Sequence, residues 1–115
     1  MNLKNKKVLI TGATGGIGNC LVKKFNDLGA LVFATGTNED KLSKLKKEFP
    51  NVYTERFMLD QHDKIENFID NVEKKLGNLE VVVNNAGITL DNLSIRLSEE
   101  NWNRVINITL TSSFL

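Results

Sequence analysis

The sequence predicts an α/β fold, a doubly wound parallel sheet with flanking helices. Three observations carry the prediction: short apolar runs without polar alternation, stripes of apolar residues at helical spacing between those runs, and a glycine-rich turn at the first junction. Strands alternating with helices of this length specify βαβ units with right-handed crossovers. The expected strand order is 3-2-1-4, within one domain over residues 1–115.

Val8-Leu9-Ile10 is continuously apolar, as in a strand covered by helices on both faces. After the glycine-rich turn, Ile17, Leu21, Phe25 and Leu28 fall four, four and three apart, which makes one stripe along a helix, with Gly29 placed to cap it. Cys20, within that helix, is expected to pack as a small buried hydrophobe. Leu31-Val32-Phe33-Ala34 is the second strand. Asn38 is the expected N-cap of a second helix whose inner face is Leu42, Leu45 and Phe49, and Pro50 stops it. Residues 52–59 read as a third strand, followed by a stripe of Ile65, Phe68, Ile69, Val72 and Leu76 that ends at Gly77. Residues 79–83 form a fourth strand and run into Asn84-Asn85-Ala86-Gly87. A loop to about Leu97 then leads to Ser98 as N-cap of a last helix carrying Trp102, Val105 and Ile106 and continuing to Leu115. With no strand beyond it, the fourth strand is expected to present an open apolar edge. The chain alone is therefore expected to be marginal or aggregation-prone.

Composition excludes several classes. Hydrophobic residues at 41% and charged residues at 25% match a soluble globular domain rather than a disordered one. Fifteen basic against fourteen acidic side chains leave a net charge of +1, so nucleic acid and anionic membrane are not expected partners. Lys44, Lys46 and Lys47, and Lys74 and Lys75, read as solvated helix faces. No segment approaches the ~18–20 apolar residues of a membrane span. No signal-peptide core follows the first seven residues, and a single cysteine cannot form an internal disulfide, so the expected location is cytoplasmic. His62, the only histidine, sits among polar residues beside Asp60 and Asp63 and reads as a solvated loop residue. No second His or Cys stands at ligand spacing, so no metal site is expected.

The chemistry concentrates in Thr11-Gly12-Ala13-Thr14-Gly15-Gly16-Ile17-Gly18, between a buried strand and the first turn of a helix. Glycine suits this place because the backbone turns sharply, must approach a pyrophosphate closely, and must let helix and sheet pack together. The helix N-terminus adds free N–H groups and about half a positive charge. The segment therefore reads as the diphosphate loop of a Rossmann-type half.

The glycines fall as Gly12-x-x-x-Gly16-x-Gly18 rather than in the tighter G-x-G-x-x-G pattern. This loop, together with Asn84-Asn85-Ala86-Gly87 after the fourth strand, resembles the short-chain dehydrogenase/reductase family. Residues 87–106, with Trp102 and the Val105-Ile106 pair, are most similar to its 3-oxoacyl-(acyl-carrier-protein) reductases of fatty-acid biosynthesis. The resemblance implies a nicotinamide dinucleotide held by Gly12, Ala13, Thr14, Gly15, Gly16, Ile17, Gly18, Thr37, Asp60, Asn85, Ala86 and Gly87. Asp60 would accept a hydrogen bond from the adenine amino group, the alternative being a carboxylate that caps the next helix. Asn85 and Gly87 would face the crevice, while Asn84 reads equally as a pin between strands or as a cofactor contact.

The resemblance also implies reduction of a ketone to a hydroxyl by hydride transfer, with a Tyr as general acid, a Lys that lowers its pKa, a Ser on the carbonyl, and an Asn in the fourth helix. The first three would lie beyond Leu115. Tyr53, the only tyrosine, is followed four residues later by Phe57 rather than lysine. No catalytic residue is thus assigned within the chain, which alone is expected to be inactive. The family's Asn position falls on Thr109, a candidate to hold a water; Asn107, two residues away, would be turned about 200° from it on a helix. The full-length parent would be a homo-oligomer acting on an acyl-carrier-protein-linked substrate.

Cofactor choice depends on the end of the second strand, where an NAD-specific protein places an acid against the ribose hydroxyls. Here stands Thr35-Gly36-Thr37. A carboxylate ~4 Å from a 2′-phosphate would oppose each of its charges by about 4 kcal/mol at an effective dielectric of ~20. Its absence favours NADP (as NADPH) over NAD, with Thr37 and Lys41 as the residues on which the preference rests. Glu39 and Asp40 read as first-turn acids of the second helix. Two alternatives remain: another short-chain alcohol or ketone dehydrogenase, and a non-catalytic dinucleotide-binding or interaction fragment.

Overall fold

The computed structural model describes residues 2–58, 62–85 and 106–109. In chain order these form β1 (Lys7–Thr11), α1 (Gly16–Asp27), β2 (Leu31–Gly36), α2 (Glu39–Glu48), β3 (Tyr53–Arg56), a 3₁₀ turn (His62–Lys64), α3 (Ile65–Leu76), β4 (Val81–Asn84) and β5 (Ile106–Thr109). All strand pairs are parallel, in the order β3-β2-β1-β4-β5. The expected 3-2-1-4 order is present, extended by one strand.

Successive residues of a strand point to opposite faces, and β1 shows how this builds two cores. Leu9 joins Phe33 of β2 and Val82 of β4 beneath Ile65, Phe68, Ile69, Val72 and Leu76 of α3. Val8 and Ile10 point the other way, to Val32, Ala34, Val81 and Val83, where Val22 of α1 and Leu45 of α2 cover them. Helices on both faces explain why the strands carry no polar alternation. All five residues of the α3 stripe are buried, as their spacing predicts.

Local signals set the helix ends. The Asn38 side chain accepts the Lys41 N–H at 2.9 Å, as an N-cap should. At the end of α1 the Gly29 N–H donates to Asn26 O and the Ala30 N–H to Phe25 O, the paired bonds of a Schellman turn, with Gly29 at φ +86°. Gly77 closes α3.

Three expectations are corrected. The buried face of α1 is Gly18 and Val22, flanked by half-buried Leu21 and Phe25, whereas Ile17 and Leu28 are 38% and 46% exposed. The cause is Gly18, which must lie against the backbone of residues 12 and 13 and so turns the helix about its axis. Cys20 lies two residues from both Gly18 and Val22, about 200° round the helix, and is exposed rather than buried.

The second correction concerns β3, which ends at Arg56. The Phe57 N–H still donates to Gly36 O, but Phe57 and Met58 leave the strand, and the remainder of the expected 52–59 strand lies outside the described residues. β4 likewise spans Val81–Asn84 rather than residues 79–83, although Leu79 stays buried.

The third concerns the last segment. Ile106–Thr109 is not helical but forms β5, in register with β4 as Val81↔Ile106, Val82↔Asn107, Val83↔Ile108 and Asn84↔Thr109. The open edge expected on β4 is therefore occupied. A row of unpaired N–H and C=O groups on an apolar strand is a strong template, and isoleucine and threonine lose side-chain freedom in a helix that a strand leaves them. Thr109 accordingly stands on a strand, not at a position in a fourth helix, and the helical argument separating it from Asn107 does not apply. The expected Ser98 cap and Trp102 lie outside the described residues.

Candidate dinucleotide site

The C-terminal ends of β1, β2 and β4 lie side by side in the sheet, at the edge where α/β sheets of this kind bind ligands. A cavity of about 360 Å³ lies there. Gly12, Thr14 and Gly15 form one side, Thr35, Gly36 and Thr37 a second, and Phe57 and Asn85 complete it.

The loop is shaped by close approaches. Gly12 turns the chain out of β1 at φ +62°, a conformation that suits glycine. A Cβ on Gly18 would stand 2.0 Å from Gly12 O and 2.7 Å from Ala13 Cα, so only glycine lets the helix start directly against the loop. A Cβ on Gly36 would meet the Thr14 side chain at 2.9 Å, which holds β2 close on the other side. Ala13 is fully buried, and its N–H donates to Thr35 O at 3.0 Å.

α1 begins without a side-chain cap: Gly15 is the N-cap, and no acid occupies the first turn. The Asn19 N–H is the first helical donor to find an acceptor, Gly15 O, so the Gly16, Ile17 and Gly18 N–H groups have no intrahelical acceptor. Gly15 itself bonds back to Gly12 O at 3.4 Å. Three unspent donors and the positive end of the helix dipole, on a loop with no competing carboxylate, fit a phosphate anion.

Behind the loop, Thr11 and the two asparagines lock β1 to β4. The buried Thr11 hydroxyl donates to Asn84 Oδ1 at 3.0 Å and accepts the Asn85 N–H at 3.0 Å. Asn85 Nδ2 donates to Gly12 O at 3.2 Å and so ties the first peptide of the loop to the end of β4. Asn84 is 2% exposed and pins the strands, whereas Asn85 lines the cavity.

Of the residues named from the sequence, Gly12, Thr14, Gly15, Thr37 and Asn85 line one cavity, and Gly16, Ile17 and Gly18 form the helix turn beside it. Lys41 is exposed in the first turn of α2, with its N–H held by Asn38. Asp60, Ala86 and Gly87 lie outside the described residues. Among the described residues no three of His, Cys, Asp and Glu gather into a metal-binding group, and no helix is long and apolar enough to cross a membrane.

From the Thr35-Gly36-Thr37 strand end the sequence reading took only Thr37 as a contact, although Thr35 and Gly36 also line the cavity, and it missed Phe57 in the lining and Arg56 beside Thr37. Thr35 is buried and donates its hydroxyl to Glu55 O at 2.8 Å. Phe57 stacks on Phe68 with centroids 4.2 Å apart. Arg56 Nε donates to Thr37 O at 2.9 Å. These residues meet only because β2 and β3 pair with Gly36 opposite Arg56, a register that no local motif announces.

The short chain dehydrogenase family matches residues 6–115. The 3-oxoacyl-(acyl-carrier-protein) reductase of Rickettsia conorii is 39% identical over 116 residues, covering 100% of this chain and 46% of that protein. The same-named protein of Thermotoga maritima is 38% identical over 118 residues, covering 99% of this chain and 48% of the relative. The chain thus spans about half the length of the curated relatives it matches. Among solved structures, the 3-ketoacyl-(acyl-carrier-protein) reductase of Brucella melitensis complexed with NADH is similar at a TM-score of 0.69 and 26% identity, over 75% of this chain and 36% of that one. A short-chain type dehydrogenase/reductase from Mycobacterium marinum matches at 0.70 and 30%, over 76% and 37%. With the family matched over nearly all its length and the glycine loop and β4 asparagines built as described, the chain belongs to the short-chain dehydrogenase family.

Proposed function

We propose that this chain is the cofactor-binding portion of an NADPH-dependent 3-oxoacyl-(acyl-carrier-protein) reductase, an oxidoreductase that converts a ketone to a hydroxyl by hydride transfer in fatty-acid biosynthesis. The observation that carries the reading is the uncapped start of α1, whose Gly16, Ile17 and Gly18 N–H groups have no intrahelical acceptor and whose N-cap, Gly15, lines a cavity of about 360 Å³. The relatives that match the chain end to end supply the substrate class by their names.

The cofactor, when bound, supplies the hydride. The chain's own residues bind and orient it: the loop takes the diphosphate, Asn85 and Thr11 hold the loop against β4, and the Phe57 ring offers an apolar wall. Asp60, Ala86 and Gly87 belong to the same proposed set by the family pattern. The preference for NADP rests on Thr37 and Lys41 and on the absence of an acid from Thr35-Gly36-Thr37 at the end of β2. The 115 residues contain no Tyr-x-x-x-Lys pair. Binding of cofactor without turnover is therefore the activity proposed for the chain alone, and the acyl-carrier-protein substrate and a homo-oligomer for the parent.

Titration with NADPH and NADH, followed by nucleotide fluorescence, tests the reading. Saturable NADPH binding is expected, weaker with NADH. Lack of any binding refutes the cofactor role, and a tenfold preference for NADH refutes the NADP assignment.

A further inference from the structure

The geometry points to Arg56 as the residue that discriminates for a 2′-phosphorylated adenosine, an inference that rests on the dinucleotide reading above. Arg56 closes β3 opposite Gly36, at the strand end where the ribose of a dinucleotide would lie. Its Nε–H donates to Thr37 O at 2.9 Å, which brings the guanidinium to the residue that lines the cavity at the end of β2. One donor of the five is spent there. A second nitrogen, Nη2, reaches only the Met58 sulfur at 3.7 Å, a weak acceptor.

Among the described residues no carboxylate pairs with this guanidinium: the ion pairs found are Lys6–Glu80 and Lys23–Asp27. Glu55, its neighbour in the chain, is engaged by Asn71 Nδ2 at 3.0 Å. The nearby acids Glu39 and Asp40 are exposed in the first turn of α2, where they complement the helix dipole. Among the described residues Arg56 is thus a cation held in place by the backbone it must serve, with only a weak sulfur acceptor on the rest of its N–H fork. A planar guanidinium presents that fork to two phosphate oxygens at once, which a lysine cannot do. An unmodified ribose offers it no charge to meet.

Calorimetric titration of the chain with adenosine 2′,5′-bisphosphate and with adenosine 5′-monophosphate separates this from a structural role. The parent is expected to bind the bisphosphate more tightly. Arg56→Gln is expected to weaken the bisphosphate by about tenfold or more, the loss of a charged hydrogen-bond pair, and to leave the monophosphate within about twofold. Arg56→Lys should recover part of the difference, keeping the charge and losing the fork. Equal weakening of both nucleotides would mean that Arg56 merely props Thr37, and no change in either would mean that it is remote from the ligand; each result overturns the inference. A parent that binds both nucleotides equally overturns it while leaving the dinucleotide reading in place. A parent that binds neither overturns both.

Discussion

Replacing Gly18 by alanine adds one methyl group at the tightest point of the chain. The new Cβ would lie 2.0 Å from Gly12 O, where ordinary contact begins at 3.4 Å, and 2.7 and 2.8 Å from two further backbone atoms of residues 12 and 13. None of these is the end of a flexible side chain, so the loop and the helix must separate by more than 1 Å. Gly12 O also accepts from Asn85 Nδ2 at 3.2 Å and from the Gly15 N–H at 3.4 Å, and both bonds weaken when it moves. Overpacking of this kind costs about 1–3 kcal/mol, and each strained hydrogen bond about 1 kcal/mol more. Alanine returns about 1 kcal/mol through helix propensity. The net is a destabilisation of about 3 kcal/mol, which in a domain of this size lowers the thermal midpoint by about 12–24 °C. Gly16→Ala is the control, because it adds the same methyl to the same helix with no atom within 4 Å. It should be neutral or stabilising by up to about 1 kcal/mol. Thermal unfolding followed by circular dichroism compares the two. Equal midpoints for Gly18→Ala and the parent would refute the claim that helix and loop are in contact at this residue.

Thr11→Val keeps the shape of a fully buried side chain but removes the acceptor of the Asn85 N–H and the donor to Asn84 Oδ1. A loss of about 1–3 kcal/mol in urea unfolding is expected, and a change below about 0.5 kcal/mol would show that the hydroxyl is not the lock between β1 and β4. Phe68→Ala removes the ring that stacks on Phe57 and meets Phe33 edge-on at 5.8 Å. The cost should be about 3–5 kcal/mol, with weakened nucleotide binding because Phe57 loses its support; a stable variant with unchanged binding would exclude Phe57 as a wall of the site. The exposed Lys23–Asp27 pair holds the Lys23 pKa above its ordinary value of 10.5, first through the Asp27 hydrogen bond and then through its charge. A raised lysine pKa means that the pair contributes below pH 10.5 and is lost as pH rises through the folded value. Both side chains being largely exposed, Lys23→Gln should leave the midpoint at pH 7 unmoved, and a clear drop there would refute that reading.

Much of the architecture was legible because it is local. The α3 stripe, the Asn38 cap, the glycine loop and the asparagines after β4 each need only neighbours in the chain to be recognised. The rotation of α1 was not, since periodicity counts apolar residues and gives no weight to a glycine whose role is to be absent from a contact with Gly12. β5 was missed for a similar reason. Residues 105–110 suit a helix or a strand, and the choice is made by the free edge of β4, far away in sequence.

The candidate site divides along the same line. Its phosphate half is one continuous segment, so residues 12–18 could be named directly, whereas its ribose half is assembled by the register between β2 and β3. That register carries chemistry. Side-chain direction is set by the place in the pleat, so a shift of β3 by one residue would put Glu55 opposite Gly36, in the place and direction that Arg56 now has. A carboxylate would then stand beside Thr37 where a guanidinium stands now, and the site would disfavour the 2′-phosphate it is proposed to select. Cofactor preference in this chain is on this reasoning a property of strand pairing, anchored by Phe33 stacked on Tyr53 and by the Thr35 hydroxyl on Glu55 O, as much as of any residue in the loop.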